Sequence, residues 1–214
     1  MAWTLHSAWR ATAPYRVRIG LALKGLSYDY AAVDLLAGQQ REPAYRAVNP
    51  QGLTPALDLG DGTVLTQSLA ILEWLEETRP QPPILPRGAM DRAVVRAMAT
   101  IIACDIHPLN NTRVGRKLNK LGIDKDGILE WSQGWIRDGF DVLEPMVEKH
   151  GGLFAFGDTP TLADCCLIPQ VYSAIRFEVD LGPYPHLKAV ADRANDHPAF
   201  AAAHPNRQPD AKPL

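Results

Sequence analysis

Three short stretches carry residue types that could do chemistry together. Ser7-Ala8-Trp9-Arg10-Ala11-Thr12-Ala13-Pro14 joins an apolar run to a helical pattern, and Pro14 suits a first helical turn. A helix start exposes free N–H groups and the positive end of the dipole, so a thiol placed there has its pKa drawn down from about 8.5. Thr12 adds a hydroxyl donor and Arg10 a positive charge; the plainer role for Thr12 is a helix cap. Leu53-Thr54-Pro55 leads into a strand, where a cis Thr54–Pro55 bond would present the Thr54 backbone as a pairing edge for an extended peptide. Gln67-Ser68 opens a further helix, whose N–H groups and Ser68 hydroxyl can receive a carboxylate, unless Ser68 simply caps. Together they describe a site for a short, extended, anionic peptide bearing a thiol.

The elements that must position these residues follow from periodicity. Trp3–His6 reads as a strand, Tyr15–Lys24 as a helix closed by Gly25, and Tyr28–Leu35 as a second strand. Pro55–Leu59 and Thr63–Thr66 flank the Gly60-Asp61-Gly62 turn as a hairpin, and Leu69–Glu77 returns to helical spacing with Leu72 and Leu75 inward. The order βαβ then ββα predicts an α/β, thioredoxin-like N-terminal domain. The proline-rich run Arg79–Pro86 cannot sit inside a helix or sheet and reads as a linker. The expected division is 1–80, a linker at 81–92, and an all-α domain over 93–214, where Val94, Met98, Ile101 and later Trp131, Trp135, Phe140 recur at helical intervals. Thr161-x-x-Asp164 is a capping box for the helix continuing through Leu167. The tail from His204, with Pro205, Pro209 and Pro213, is expected to run extended over the surface.

Composition narrows the classes. The 214 residues are 46% hydrophobic and 21% charged, enough for a buried core, and a net charge of −2 argues against nucleic acid or an anionic membrane as partner. The cations divide into 15 Arg and 7 Lys, and arginine's planar fork suits small carboxylates. No apolar run has membrane-spanning length, and the first ten residues lack a secretory pattern. Cys104, Cys165 and Cys166 have no disulfide or zinc spacing and read as buried hydrophobes in a reducing cytoplasm, and the six scattered histidines give no metal site.

The stretch Trp9 to Gly25 resembles the first helix of zeta-class glutathione transferases. Asn49-Pro50, Thr54-Pro55, Gln67–Ile71 and Gly157–Gln170 are similar to the same class, and Cys104–Asn111 and Val179–Pro185 resemble especially its bacterial maleylpyruvate and maleylacetoacetate isomerases. The resemblance spans nearly the whole chain and implies the glutathione transferase fold, glutathione as cofactor and a homodimer. It implies a glutathione site lined by Ala11, Thr12, Ala13, Gln40, Thr54, Pro55, Gln67 and Ser68, with His107 and Asn111, four residues apart and so on one helical face, from the second domain. It also implies a reaction: cis–trans isomerisation of a maleyl keto-diacid by reversible addition of the glutathione thiolate to the alkene. Arg10, Arg113 and Arg176 are then candidate grips for the small dianionic substrate, Arg176 having a salt bridge to Glu178 or Asp180 as its alternative.

Two departures stand out. The class usually shows Ser-Ser-Cys where this chain has Ala11, Thr12 and Ala13, so Thr12, the backbone N–H groups or Arg10 must serve the thiol. The maleylpyruvate isomerases tend to carry two arginines at Thr112-Arg113, and one is present here. A glutathione transferase or dehalogenase acting on halo-acids through the same thiolate is the alternative activity, and a non-catalytic dimeric binding module the remaining one.

Overall fold

Four short strands make one mixed sheet in the order β2-β1-β3-β4, with β1 at Thr4–Ser7, β2 at Asp29–Ala32, β3 at Ala56–Asp58 and β4 at Val64–Thr66. The computed structural model describes residues 2–212. β1 pairs in parallel with β2 and antiparallel with β3, which pairs antiparallel with β4. The parallel pair needs a crossover, and helix α1 (Thr12–Leu23) supplies it. Leu5 and Leu57 of the sheet are fully buried with Val17, Ile19 and Leu21 of α1 and with Ile71, Leu72 and Leu75 of α3 (Ser68–Thr78). Gly20 lets α1 and α3 approach, because a Cβ there would collide with the Leu72 side chain.

β1 is as long as its sequence pattern and begins one residue later, while β2, β3 and β4 are shorter than theirs. A short helix α2 (Pro43–Val48), preceded by one 3-10 turn at Gln39–Arg41, was not legible; six residues are too few for a periodic signal.

Two compact units result: Met1–Ile84 together with Asp196–Leu214, and Leu85–Asn195. The C-terminal residues from Asp196 onward therefore belong with the sheet, which corrects their assignment to a helical domain over 93–214. Their helix α9 (Pro198–Ala203) packs on α1. The tail is also not simply extended: Pro205–Arg207 forms one 3-10 turn, Gln208 is buried, and Asp210 bonds back into the first unit. Pro213 lies outside the described residues.

The second unit is helical: α4 (Ala89–Thr100), α5 (Thr112–Lys120), α6 (Lys125–His150), α7 (Leu162–Arg176) and α8 (Pro185–Asp196), which ends at the unit boundary. α7 packs on α4, and its start is closed by the predicted capping box. Asp164, fully buried, accepts from the Thr161 N–H (2.7 Å), the Thr161 hydroxyl (2.9 Å) and the Ala155 N–H (2.8 Å). Burial outweighs those bonds and pushes its carboxyl up to about 6. Cys165 and Cys166 are buried as expected, but Cys104 is exposed: on the π-helical stretch Ile101–Ile106 that follows α4, Ile102 and Ile106 are buried and Cys104 falls midway between them, on the outer side. Among the described residues no helix is long and apolar enough to cross a membrane.

Candidate functional site

Strand register decides which loops meet. Ser7 pairs with Ala32, His6 with Ala56, and Ala56 with Thr66. The turn after β1, the Thr54–Pro55 segment before β3 and the start of α3 after β4 are therefore gathered at one end of the sheet. A depression of about 360 Å³ lined by Trp3, Tyr28 and Arg79 lies at the other end, away from them.

In the turn, the Ala11 N–H donates to the Ala8 carbonyl at 3.1 Å, and Ala11 is the N-cap residue of α1. An alanine has no side-chain acceptor, so the first-turn N–H groups of α1 are left without a cap. Thr12 is not that cap: it is the first helical residue, and its Oγ1 is buried with no hydrogen-bond partner. Ala13 is half-buried beside it, and half-buried Arg10 stacks over the Trp9 ring, 5.5 Å from its centroid.

The second loop is fixed from behind. Buried Asn49 donates to the Leu53 carbonyl (2.7 Å) and accepts from the Gln51 N–H (3.1 Å), while Tyr45 donates to the same carbonyl at 2.7 Å. The next residue, Thr54, precedes a cis peptide bond to Pro55. Among the described residues the Thr54 N–H and C=O find no partner. Gln40, buried on the 3-10 turn, donates a long bond to the Leu35 carbonyl (3.4 Å) and leaves its Oε1 without a partner.

The third piece is the α3 start. Gln67, its N-cap, sits at φ 67°, in a region that disfavours a side chain, and makes no capping bond. Strain of this kind costs about 1–3 kcal/mol and clusters where a backbone must meet a ligand. The Gln67 amide donates to Gln51 Oε1 at 2.9 Å. Buried Ser68 accepts from Arg16 at 3.2 Å, so its own proton stays available to a carboxylate.

The sheet end thus collects two uncapped helix N-termini, an unpaired strip of backbone and two buried side-chain oxygens, Thr12 Oγ1 and Gln40 Oε1, without partners. That donor and acceptor set fits an extended anionic peptide with a thiol at the α1 end.

Sequence comparison gives the same lineage. The sequence model of the glutathione S-transferase N-terminal domain matches residues 13–78. A maleylpyruvate isomerase from a Ralstonia species is 49% identical over 97% of this chain and 99% of its own length. The chain belongs to the zeta-class glutathione transferase family. A solved bacterial zeta-class maleylpyruvate isomerase is 48% identical and superposes with a TM-score of 0.95, covering 98% of this chain and 100% of the other. The maleylacetoacetate isomerase of Anaeromyxobacter dehalogenans, solved with glutathione in its active site, is 45% identical, with a TM-score of 0.90 over 99% and 98%.

Four residues that the zeta-class resemblance nominated lie in the helical unit. His107 and Asn111 do not share one helical face. The π-helical stretch ends at His107, and Pro108, which has no N–H, breaks the ladder. Asn111 instead caps α5, its Oδ1 accepting from the Arg113 N–H at 3.0 Å. Arg113 is exposed in the first turn of α5, and Arg176 is exposed in the last turn of α7, stacked 5.9 Å over the Tyr172 ring. Sequence reasoning missed Arg18 and Asp210, which hold the turn itself. Two arginines at 16 and 18 within an otherwise apolar helix were the available signal for the first; nothing marked the second.

Proposed function

We propose that this chain catalyses the glutathione-dependent cis–trans isomerisation of a maleyl keto-diacid, maleylpyruvate or maleylacetoacetate. The observation that carries the reading is the pair of uncapped helix N-termini flanking the unpaired Thr54 backbone at one sheet end. Bound there, glutathione supplies a thiolate nucleophile that lowers the order of the substrate's double bond and is regenerated.

The protein's tasks follow. The α1 N–H groups and the Thr12 hydroxyl hold the sulfur as thiolate, with Arg10 adding positive charge in the same turn. The Thr54 backbone pairs the extended peptide, Gln40 and Gln67 bind its polar groups, and Ser68 with the α3 N–H groups takes its carboxylate. His107 and Asn111 complete the glutathione contacts. Arg113 and Arg176 grip the substrate carboxylates, Arg113 with no ion-pair partner among the described residues to compete for it. The enzyme works in the cytoplasm as a homodimer, and sedimentation at twice 23.5 kDa is the mass expected.

The test mixes the protein with a catalytic quantity of glutathione and each cis-enone diacid in turn and follows loss of the cis absorbance. Turnover without net loss of glutathione is the expected result. Stoichiometric consumption, or none of the substrates reacting, would overturn the reading.

A further inference from the structure

The turn that leads into α1 is held by a residue 201 positions away. Asp210 Oδ2 accepts from the Trp9 N–H at 3.1 Å, and its Oδ1 accepts from the Tyr30 hydroxyl on β2 at 2.7 Å. The other face of the same residue is also bound: the Trp9 carbonyl accepts from Arg18 Nη2 at 2.7 Å. Arg18 is fully buried and donates besides to Ser7 Oγ (3.0 Å), at the end of β1, and to the Ala203 carbonyl (3.0 Å), at the end of α9. Burial lowers the Arg18 pKa, and Tyr30, Tyr28, Tyr15 and, least, Asp210 oppose that. Burial and the bond to Asp210 push the Tyr30 hydroxyl up, keeping it a donor.

Asp210 is not the tail's sole tie to the rest of the unit. Arg18 already holds the end of α9, and the buried Gln208 amide donates to the Ala202 and His204 carbonyls (3.0 and 2.9 Å). What Asp210 adds is directed at Trp9 and β2. Three residues beyond Trp9, at Thr12, the uncapped N–H groups of α1 begin, and the closure from Ala11 N–H to Ala8 C=O spans Trp9. A pivot of the Trp9 peptide swings those N–H groups.

We infer that Asp210 is a positioning residue for glutathione: through its bond to the Trp9 N–H, the C-terminal segment fixes where the open end of α1 points. The inference rests on the glutathione reading above. It also carries an internal contrast. A carboxylate near the turn acts through space against a thiolate, whereas a clamp acts in its favour.

The experiment compares Asp210→Ala, Asp210→Asn and Tyr30→Phe with the parent. In the free protein, hydrogen exchange of the Trp9 and Ala11 amides reports the turn; in the glutathione complex, thiolate ultraviolet absorbance against pH reports the sulfur. Asp210→Ala is expected to speed amide exchange and raise the bound thiol pKa by about one unit, about tenfold less thiolate near neutrality. Asp210→Asn, which keeps an acceptor oxygen, stays near the parent, and Tyr30→Phe, which frees one carboxylate oxygen, shifts both readouts by about twofold. A merely structural role would lower the melting temperature and leave the thiol titration in place. Superposition of the Asp210→Ala titration on the parent's overturns the inference, as does an equal downward shift in Ala and Asn variants, which is the signature of charge alone. If Asp210→Ala does not fold, an unchanged Tyr30→Phe overturns it instead. A parent that shows no thiolate with glutathione sinks the glutathione reading, and the amide exchange still judges the clamp.

Discussion

The N-termini of α1 and α7 are opposite answers to one problem. Each helix opens with N–H groups that lack an intrahelical partner. At α7 the chain meets them itself: Thr161 and Asp164 close a capping box, and Asp164 reaches across to the Ala155 N–H as well. At α1 an alanine stands in the cap position, and the one nearby hydroxyl, Thr12 Oγ1, is turned to no one. A satisfied end stabilises the fold and has nothing left to offer a ligand. An open end gives up about 1 kcal/mol of capping and keeps its field for an anion.

The contrast can be broken at α7 first. Asp164→Ala strands three buried donors and is expected to cost about 3 kcal/mol in urea unfolding. A loss below about 1 kcal/mol would mean that the box does not hold α7. Acid titration of stability probes the same carboxyl. Its folded pKa of about 6 lies above the ordinary 3.8, so between about pH 4 and 6 the native state binds more protons than the unfolded chain. Stability should therefore fall as pH rises through that window, by up to about 3 kcal/mol, and the difference between parent and Asp164→Asn isolates it.

Two substitutions sharpen the comparison at α1. Thr12→Val removes a hydroxyl that has no partner in the free protein, so thermal stability should hold or rise while turnover near neutrality drops by about tenfold. A variant that keeps full turnover would assign the thiol to the backbone N–H groups alone. Ala11→Asp installs the missing cap: a gain of about 1 kcal/mol in stability is expected, with weaker glutathione binding by calorimetry because the new carboxylate occupies and repels. Gain without weakening would show that the α1 end is not where the sulfur binds.

Much of this site was readable in one dimension because its parts lie next to strand and helix signals. The Gly60–Gly62 hairpin turn, Pro14 and the spacing of Leu72 and Leu75 fixed the local elements, and thioredoxin-like order then placed Ala11–Thr12, Thr54–Pro55 and Gln67–Ser68 at one sheet end. What escaped was non-local or aperiodic. Asp210 sits in a proline-bearing tail with no pattern of its own, and its partner is fixed only by the three-dimensional return of the chain. Pro108 breaks the ladder just past His107 and Asn111 opens a new helix as its cap, so counting by four from His107 to Asn111 fails. Cys104 is exposed because it falls between buried Ile102 and Ile106 on the outer side of its helix, a placement that residue type alone does not reveal.

Gln67 has a bearing on evolution in the laboratory. Its backbone at φ 67° is one in which glycine is strained less than any residue with a side chain, so selection for heat tolerance alone has an obvious move there. That move would discard the amide that meets Gln51 and that the proposed glutathione site uses. Improvement in one trait would be harvested directly from the other, and a screen on this protein that does not also demand glutathione would drift toward a sturdier scaffold that has forgotten its cofactor.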